Sequence, residues 1–309
     1  MKRILVIGSA NMDLSLNVYR MPERGETLTD NGGVAYTPGG KGANAGVALR
    51  RLGAEVFFMA KLGMDMHGQA LYDFYKKEGI DTSTILVDRV EPTGFATVIK
   101  ENGGHNRIIY YPGANEKMTR EEMARAFDKA KPDALYIGFE ISFASALEAA
   151  SLAEERGVPI FVDAAPADKS FKLEALPPLE IFSPNESETF EYTGIRPDGQ
   201  EASLRASLAL WRRVRARYIV IKLGERGASI YDGKHFYMVA ASPVSEVVDT
   251  TAAGDTFTSA MTLKYLLTGD IRAAVKYGTQ AAALTISRWG ATASVPTALE
   301  VEEYISSLN

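Results

Sequence analysis

Residues 247–258 read V-V-D-T-T-A-A-G-D-T-F-T. A valine pair gives way to two aspartates, Asp249 and Asp255, separated by small residues, and an apolar-periodic run continues from Phe257 to Leu267. The pattern predicts a strand ending at Val247-Val248, a turn over Thr250 to Gly254 and a helix beyond it. Unpaired backbone N–H groups and the positive end of a helix dipole meet in such a turn. Small side chains keep that nest open to a phosphate. Asp255 at its edge fits a capping or first-turn acid, which helix starts favour. It also fits chemistry. An anion cradle beside a carboxylate suits phosphoryl transfer to an alcohol: the carboxylate takes the hydroxyl proton while the N–H groups hold the phosphoryl charge.

The chain around this stretch reads as α/β. Short apolar runs at Arg3 to Ile7, Val56 to Lys61, Ala134 to Ile137, Ile160 to Asp163, Ile181 to Ser183 and Tyr218 to Lys222 alternate with helical patterns. Those helices are expected over Gly42 to Leu52, Gly68 to Glu78, Arg120 to Lys129, Ser142 to Arg156, Glu186 to Tyr192 and Glu201 to Val214, with another from Ile271 to Arg288. Alternation of this kind implies βαβ units, a mostly parallel central sheet and flanking helices. No linker or repeat divides the 309 residues, so one domain over 1–309 is expected. Two inserts at about 14–36 and 93–111 read instead as strands with turns; Phe95 to Lys100, Asn102-Gly103-Gly104 and Asn106 to Tyr111 form a hairpin pattern. Such a small sheet beside the core suits a lid that closes on a ligand, and its outer face suits a homodimer contact.

Composition narrows the function. Apolar residues make up 46% and charged residues 24%, ordinary for a globular protein. A net charge of −5 argues against a general nucleic-acid binder, which needs a basic surface. With no cysteine there is no disulfide, zinc-thiolate site or cysteine nucleophile. His67, His105 and His235 lie far apart and have no metal-ligand spacing. The opening apolar run is too short for a signal peptide, and no run approaches a membrane span of roughly 18 residues. No membrane association and a cytoplasmic location are expected.

Four further motifs carry candidate chemistry. Pro38-Gly39-Gly40-Lys41-Gly42-Ala43-Asn44 opens a helix, and its glycines let backbone approach a ligand. It is no Walker A loop, since Ala35 stands at the first glycine position and Gly42 follows the lysine. Gly40 to Ala45 does match the dinucleotide pattern G-x-G-x-x-A, but Tyr36-Thr37-Pro38 is a poor strand end. In Gly8-Ser9-Ala10-Asn11-Met12-Asp13, Asp13 follows the first parallel strand, where open α/β sheets bind ligands; it suits two sugar hydroxyls, or a plain loop or cap. Ser183-Pro184-Asn185-Glu186-Ser187-Glu188 has in Asn185 a helix cap and in Glu188 a first-turn acid, or a pair of oxygen ligands near Mg²⁺. Lys222-Leu223-Gly224-Glu225-Arg226-Gly227 reads as a strand end and turn, or a nucleotide contact.

Taken in order along nearly the whole chain, these motifs resemble the ribokinase-like (PfkB-type) carbohydrate kinases. Pro38–Asn44 is similar to that family's first signature and Asp249–Phe257 to its second, while Gly8–Asp13, Tyr111–Asn115, Glu140, Ser183–Glu188 and Lys222–Gly227 fall where members have counterparts. The resemblance implies an ATP-dependent sugar kinase, with phosphorylation of the ribose 5-hydroxyl expected first. Asp255 would be the base, with Ala252, Ala253 and Gly254 as the anion hole. Asp13, Gly40, Lys41, Asn44 and Glu140 would line the sugar site. Asn185 and Glu188 would lie by Mg²⁺ and the phosphates, and Lys222, Gly224 and Gly227 would border ATP. An activating K⁺ would have Asp249 and Thr251, joined by Thr285, Arg288, Gly290 and Ser294.

Departures from the family pattern are Ala45-Gly46 after the first signature, Asp163-Ala164-Ala165-Pro166-Ala167 where N-P-A-P-A is common, and Thr279-Gln280 where a histidine is common. The first of these touches the sugar side. Rival readings are the same fold on fructose, deoxyribose or adenosine, an NAD(P)-dependent dehydrogenase, and a non-catalytic sugar-binding protein.

Overall fold

The computed structural model describes residues 1–30, 32–101 and 106–308. Its core is an eight-stranded sheet. From one edge to the other the strands are Phe236–Val239, Ala228–Tyr231, Ala216–Lys222, Leu179–Ser183, Ile160–Asp163, Ala134–Gly138, Arg3–Ile7 and Glu55–Met59. Only the first two pairings are antiparallel; the strands from Ala216–Lys222 to Glu55–Met59 run parallel. The period-2 alternation of a strand divides the apolar residues between two layers. Ile4, Val6, Val56, Phe58 and Phe161 face one, under helices Lys41–Arg51, Met66–Lys77, Ala253–Thr268 and Ile271–Ile286. Leu5, Ile7, Phe57, Met59 and Val162 face the other, under Arg120–Ala130, Phe143–Glu155, Glu186–Thr193 and Gln200–Arg213. Burial on both faces is why these strands are continuous apolar runs in the sequence.

The two inserts meet. Strands Val34–Gly39, Asn11–Val18, Gly94–Glu101 and Asn106–Tyr111 form a separate four-stranded sheet in that order. The hairpin pairing runs from Phe95↔Tyr111 to Lys100↔Asn106 as the alternation implied; its Asn102-Gly103-Gly104 turn lies outside the described residues, as does His105.

Several local expectations are corrected. Val247-Val248 is not a strand end: the amides of Val248 and Asp249 donate to the Ile286 carbonyl, so the segment is tied to a helix terminus. The helix after it starts earlier, at Ala253. Tyr36-Thr37-Pro38 does lie in a strand, Val34–Gly39, and Pro38 is tolerated because that strand is the edge of the small sheet. Asp13 is a strand residue paired with Thr37, not a loop or cap. Unforeseen elements include strands Ala228–Tyr231 and Phe236–Val239 and the final helix Ala298–Ser307.

Candidate active site

Two glycines fix where the first motif sits. A Cβ on Gly8 would lie 2.7 Å from Gly42 Cα, so the end of the first strand and the start of helix Lys41–Arg51 touch backbone to backbone. Gly40 has φ 94°, and its Cβ would meet the Ser9 carbonyl at 2.9 Å. Glycine is the residue that tolerates both demands. The helix start is thereby pressed against Gly8–Asp13.

Helix Ala253–Thr268 brings the second motif to the same place. Its cap residue Ala252 has φ 62° and offers no side chain to the first-turn amides. In most helices Ser, Thr, Asp or Asn would occupy those donors. Asp255, 5% exposed, lies in the first turn. Asn44 donates from Nδ2 to Asp255 Oδ2 at 2.8 Å, and Lys41 Nζ lies 3.8 Å from Oδ1. Burial pushes the Asp255 carboxyl up; Lys41 opposes that, and the Asp163 charge adds to it. Asp255 in return raises the Lys41 ammonium, keeping it charged.

These groups line a cavity of about 370 Å³ that also includes Asp13, Gly40, Tyr110, Glu140 and Asp163. Glu140 Oε2 accepts from the Ser9 hydroxyl at 2.6 Å and the Lys41 amide at 2.9 Å, linking three separate segments. Asp13 is pushed up to about 7, first by burial and then by the charge of Glu140. The small sheet lines this cavity through Ala96, Val98, Ile108 and Tyr110.

A second cavity, about 1040 Å³, runs past Gly224, Gly227, Val244, Phe257, Thr279 and Ile286. Asn185, Lys222, Thr250 and Gly254 border both spaces. The larger one is lined mainly by apolar walls and turn backbone, and the smaller by carboxylates, amides and lysines. Asp255 borders only the smaller. The arrangement leaves one cavity on each side of a helix N-terminus.

The other expected residues fall into three groups. Asn185 and Glu188 form a complete capping box, with the Asn185 amide donating to Glu188 Oε2 at 2.7 Å and the Glu188 amide to Asn185 Oδ1 at 2.8 Å. Both still border the smaller cavity, and burial raises Glu188 against the opposing charge of Lys222. Gly227 is placed for packing: its Cβ would lie 2.0 Å from the Val239 carbonyl. Asp249 accepts from the Thr251 hydroxyl at 2.6 Å, the Thr251 amide at 2.9 Å and the Gly290 amide at 3.2 Å. Burial opposes its ionisation, yet these donors hold it below the ordinary carboxylate range. The side chains of Thr285, Ser294 and Arg288 turn to Ala281 O, Ala291 O and Glu300.

Asp163 also lines the smaller cavity, a place that no motif of the sequence assigns to it. It sits at the carboxyl end of a central parallel strand, the position where such sheets bind ligands, and that was the available signal. Tyr110 and Asn11 were also missed; the Asn115 amide group joins them, donating to Asn11 Oδ1 at 2.7 Å and to Tyr110 Oη at 3.4 Å.

The profile of the pfkB family carbohydrate kinases matches residues 1–298. The chain belongs to that family. It is thus a phosphotransferase with an alcohol acceptor, as the two signatures implied. It is 33% identical to the ribokinase of Bacillus subtilis, over 99% of this chain and 100% of that one. It is 34% identical to the bifunctional ribokinase/ribose-5-phosphate isomerase A of Fructilactobacillus sanfranciscensis over 96% of this chain, which spans about half (55%) of that protein's length. The structure of the Arabidopsis thaliana ribokinase complexed with ribose and ATP superposes with a TM-score of 0.87 at 27% identity, covering 98% of each chain. Membership removes the dehydrogenase reading. The G-x-G-x-x-A stretch follows an edge strand of the small sheet, not a strand of the parallel one as a dinucleotide site requires. Among the described residues no helix is long and apolar enough to cross a membrane.

Proposed function

We propose that this pfkB-family kinase is an ATP-dependent ribokinase that phosphorylates the 5-hydroxyl of D-ribose. The observation that carries this reading is the meeting of two cavities over the uncapped N-terminus of helix Ala253–Thr268, with Asp255 on the smaller side. Ribose supplies hydroxyls for Asp13, Asn44 and Glu140, while the larger cavity takes ATP against Gly224 and Gly227. The relatives named as ribokinases support ribose over other acceptors.

In this mechanism Asp13 accepts from sugar hydroxyls and orients the ring. Asn44 holds Asp255 so that its free oxygen faces the acceptor. Asp255 takes the hydroxyl proton as the oxygen attacks in line, and burial, by raising its pKa, makes it a stronger proton acceptor than an exposed carboxylate. The amides of Ala252, Ala253 and Gly254 hold the charge on the phosphoryl oxygens. The lid sheet closes over the sugar and excludes water.

Two ions fit the residues present. Mg²⁺ binds through few carboxylates, waters and phosphates; Asp163 Oδ1, buried without a partner, and Glu188 at the cavity edge suit that demand. Bound there, it would neutralise phosphate charge. A monovalent cation would be held by Asp249, which its donors keep ionised, with Thr251, Thr285, Arg288, Gly290 and Ser294 as the other expected ligands. The Arg288 guanidinium is engaged with Glu300, so only its backbone serves. A homodimer through the lid follows from the exposed Val34, Tyr36, Ile109 and Tyr111; a monomer mass in solution at working concentration would overturn it.

The experiment is a panel of D-ribose, deoxyribose, fructose and adenosine with ATP and Mg²⁺. Ribose is expected to give the highest kcat/KM and a 5-phosphate product. A rate on any other member equal to that on ribose would sink the assignment.

A further inference from the structure

Lys222 ends strand Ala216–Lys222 and is 9% exposed. Its Nζ donates to Asp163 Oδ2 at 2.9 Å and to Thr258 Oγ1 at 3.2 Å, while the Thr258 hydroxyl itself reaches Asp163 Oδ2 at 2.8 Å. This buried pair is unusual in its location. Lys222 borders both cavities and Asp163 the smaller one, and a Cβ built on Gly254 would lie 3.6 Å from Lys222 Nζ. The ammonium therefore hangs over the first turn of helix Ala253–Thr268, where the transferred phosphoryl group has to pass. Asp163 and Thr258 hold it there from below. A buried ion pair contributes little net stability once desolvation is counted, so fold stability alone gives no strong reason to place one at this junction. A preorganised cation at a point of developing charge has a functional reason.

We propose that Lys222 is a catalytic cation of this kinase, contacting the transferred phosphoryl oxygens, and that Asp163 is the positioning residue that aims it. The proposal rests on the phosphotransfer reading of the site but not on which sugar is used. As the acceptor oxygen forms its bond to the γ-phosphorus, the bond from that phosphorus to the β–γ bridging oxygen breaks, and ADP leaves with the electron pair. The hydroxyl proton goes to Asp255. Lys222 keeps its protons throughout and shifts its hydrogen bonds from Asp163 toward the phosphoryl oxygens. Asp163 keeps the Thr258 hydroxyl as a partner while it does so. A lysine suits this because an ammonium is a compact charge on a flexible stem.

The test compares wild type with Lys222→Met, Asp163→Asn and the double variant, which removes both buried charges together. Lys222→Met is expected to lower kcat by about 10²–10³-fold, the loss typical of one transition-state donor, with acceptor KM within about threefold. The double variant, freed of the orphaned carboxylate, is expected to be folded and equally slow. If the double variant instead recovers wild-type turnover, Lys222 only balances charge and the proposal falls. A second readout is binding of ADP with aluminium fluoride and Mg²⁺, measured by calorimetry against ADP with Mg²⁺. Wild type is expected to bind the fluoride complex more tightly than ADP, and Lys222→Met to lose at least about tenfold of that preference. An unchanged preference overturns the proposal. A wild type that transfers phosphate to no acceptor sinks the kinase reading instead, a result the variants do not mimic.

Discussion

Asn44 donates to Asp255 at 2.8 Å across 211 positions of sequence. The two residues come from the two signature motifs, and the bond joins the helices that carry them. It also fixes the rotamer of the carboxylate, leaving Oδ1 toward Lys41 and the cavity. Asp255→Asn keeps an acceptor for the Asn44 amide and removes only the base. Turnover is expected to fall by about 10²–10⁴-fold, while ATP binding by calorimetry stays within about threefold. Turnover within about tenfold of wild type would remove Asp255 from the role of base.

The pH response of the sugar side follows from Asp13. Its carboxyl is raised from 3.8 to about 7 by burial and by Glu140. Between those values the folded chain binds more protons than the unfolded one, so this group makes stability fall as pH rises through that window. Asp13→Asn is therefore expected to gain melting temperature relative to wild type at about pH 8 and not at about pH 4. Function runs the other way. The ionised form accepts two hydroxyl hydrogens, so ribose affinity without ATP should strengthen as pH rises through about 7. An affinity that does not change over that interval would contradict this.

Much of this architecture is legible in the sequence because parallel strands buried on both faces are unbroken apolar runs, as R-I-L-V-I at Arg3–Ile7 shows. The motifs at Pro38 and Asp249 are equally readable, being local. The two antiparallel strands at one end of the sheet, Ala228–Tyr231 and Phe236–Val239, are four residues each, too short for a period to declare itself. Asp13 reads as a loop residue because its strand partner Thr37 lies at the far end of the same insert, beyond a run of turn residues. The Asp163–Lys222 pair bridges 59 positions and an intervening strand, so no spacing rule reaches it.

Close backbone approach makes a contrast between two glycines, Gly8 packed against helix Lys41–Arg51 and Gly46 inside it. Alanine at Gly8 puts Cβ 2.7 Å from Gly42 Cα, a contact between two backbones that no side chain can relieve. Gly8→Ala should cost roughly 1–3 kcal/mol, as overpacking does, and raise the sugar KM by moving Gly40 and Lys41. At Gly46 the nearest atoms to an added Cβ are Ile80 Cδ1 at 3.8 Å and Val56 Cγ1 at 3.9 Å. Gly46→Ala should be neutral or stabilise by up to about 1 kcal/mol, the helix-propensity gain over glycine. Thermal unfolding of the pair checks it. Equal losses at both positions would show that the Gly8–Gly42 approach is not what fixes the loop.

Asp249 and Asp255 bracket one turn and should fail differently. Asp249 is ionised, tied to Thr251 and Gly290, and borders neither cavity. A charge there acts on the helix N-terminus through the intervening backbone and is worth more when a cation sits against it. Without that cation the carboxylate stands near the anion hole and opposes an incoming phosphate. Wild type should accordingly be slower when K⁺ is replaced by tetramethylammonium, and Asp249→Asn should be equally slow in both salts. The folded-state pKa of Asp249 is depressed, so its contribution to stability is present above the ordinary aspartate range and lost as pH falls through the lower value. The measurement is kcat/KM for ribose at constant ionic strength in the two salts. A variant still activated by K⁺ as strongly as wild type would place the cation elsewhere.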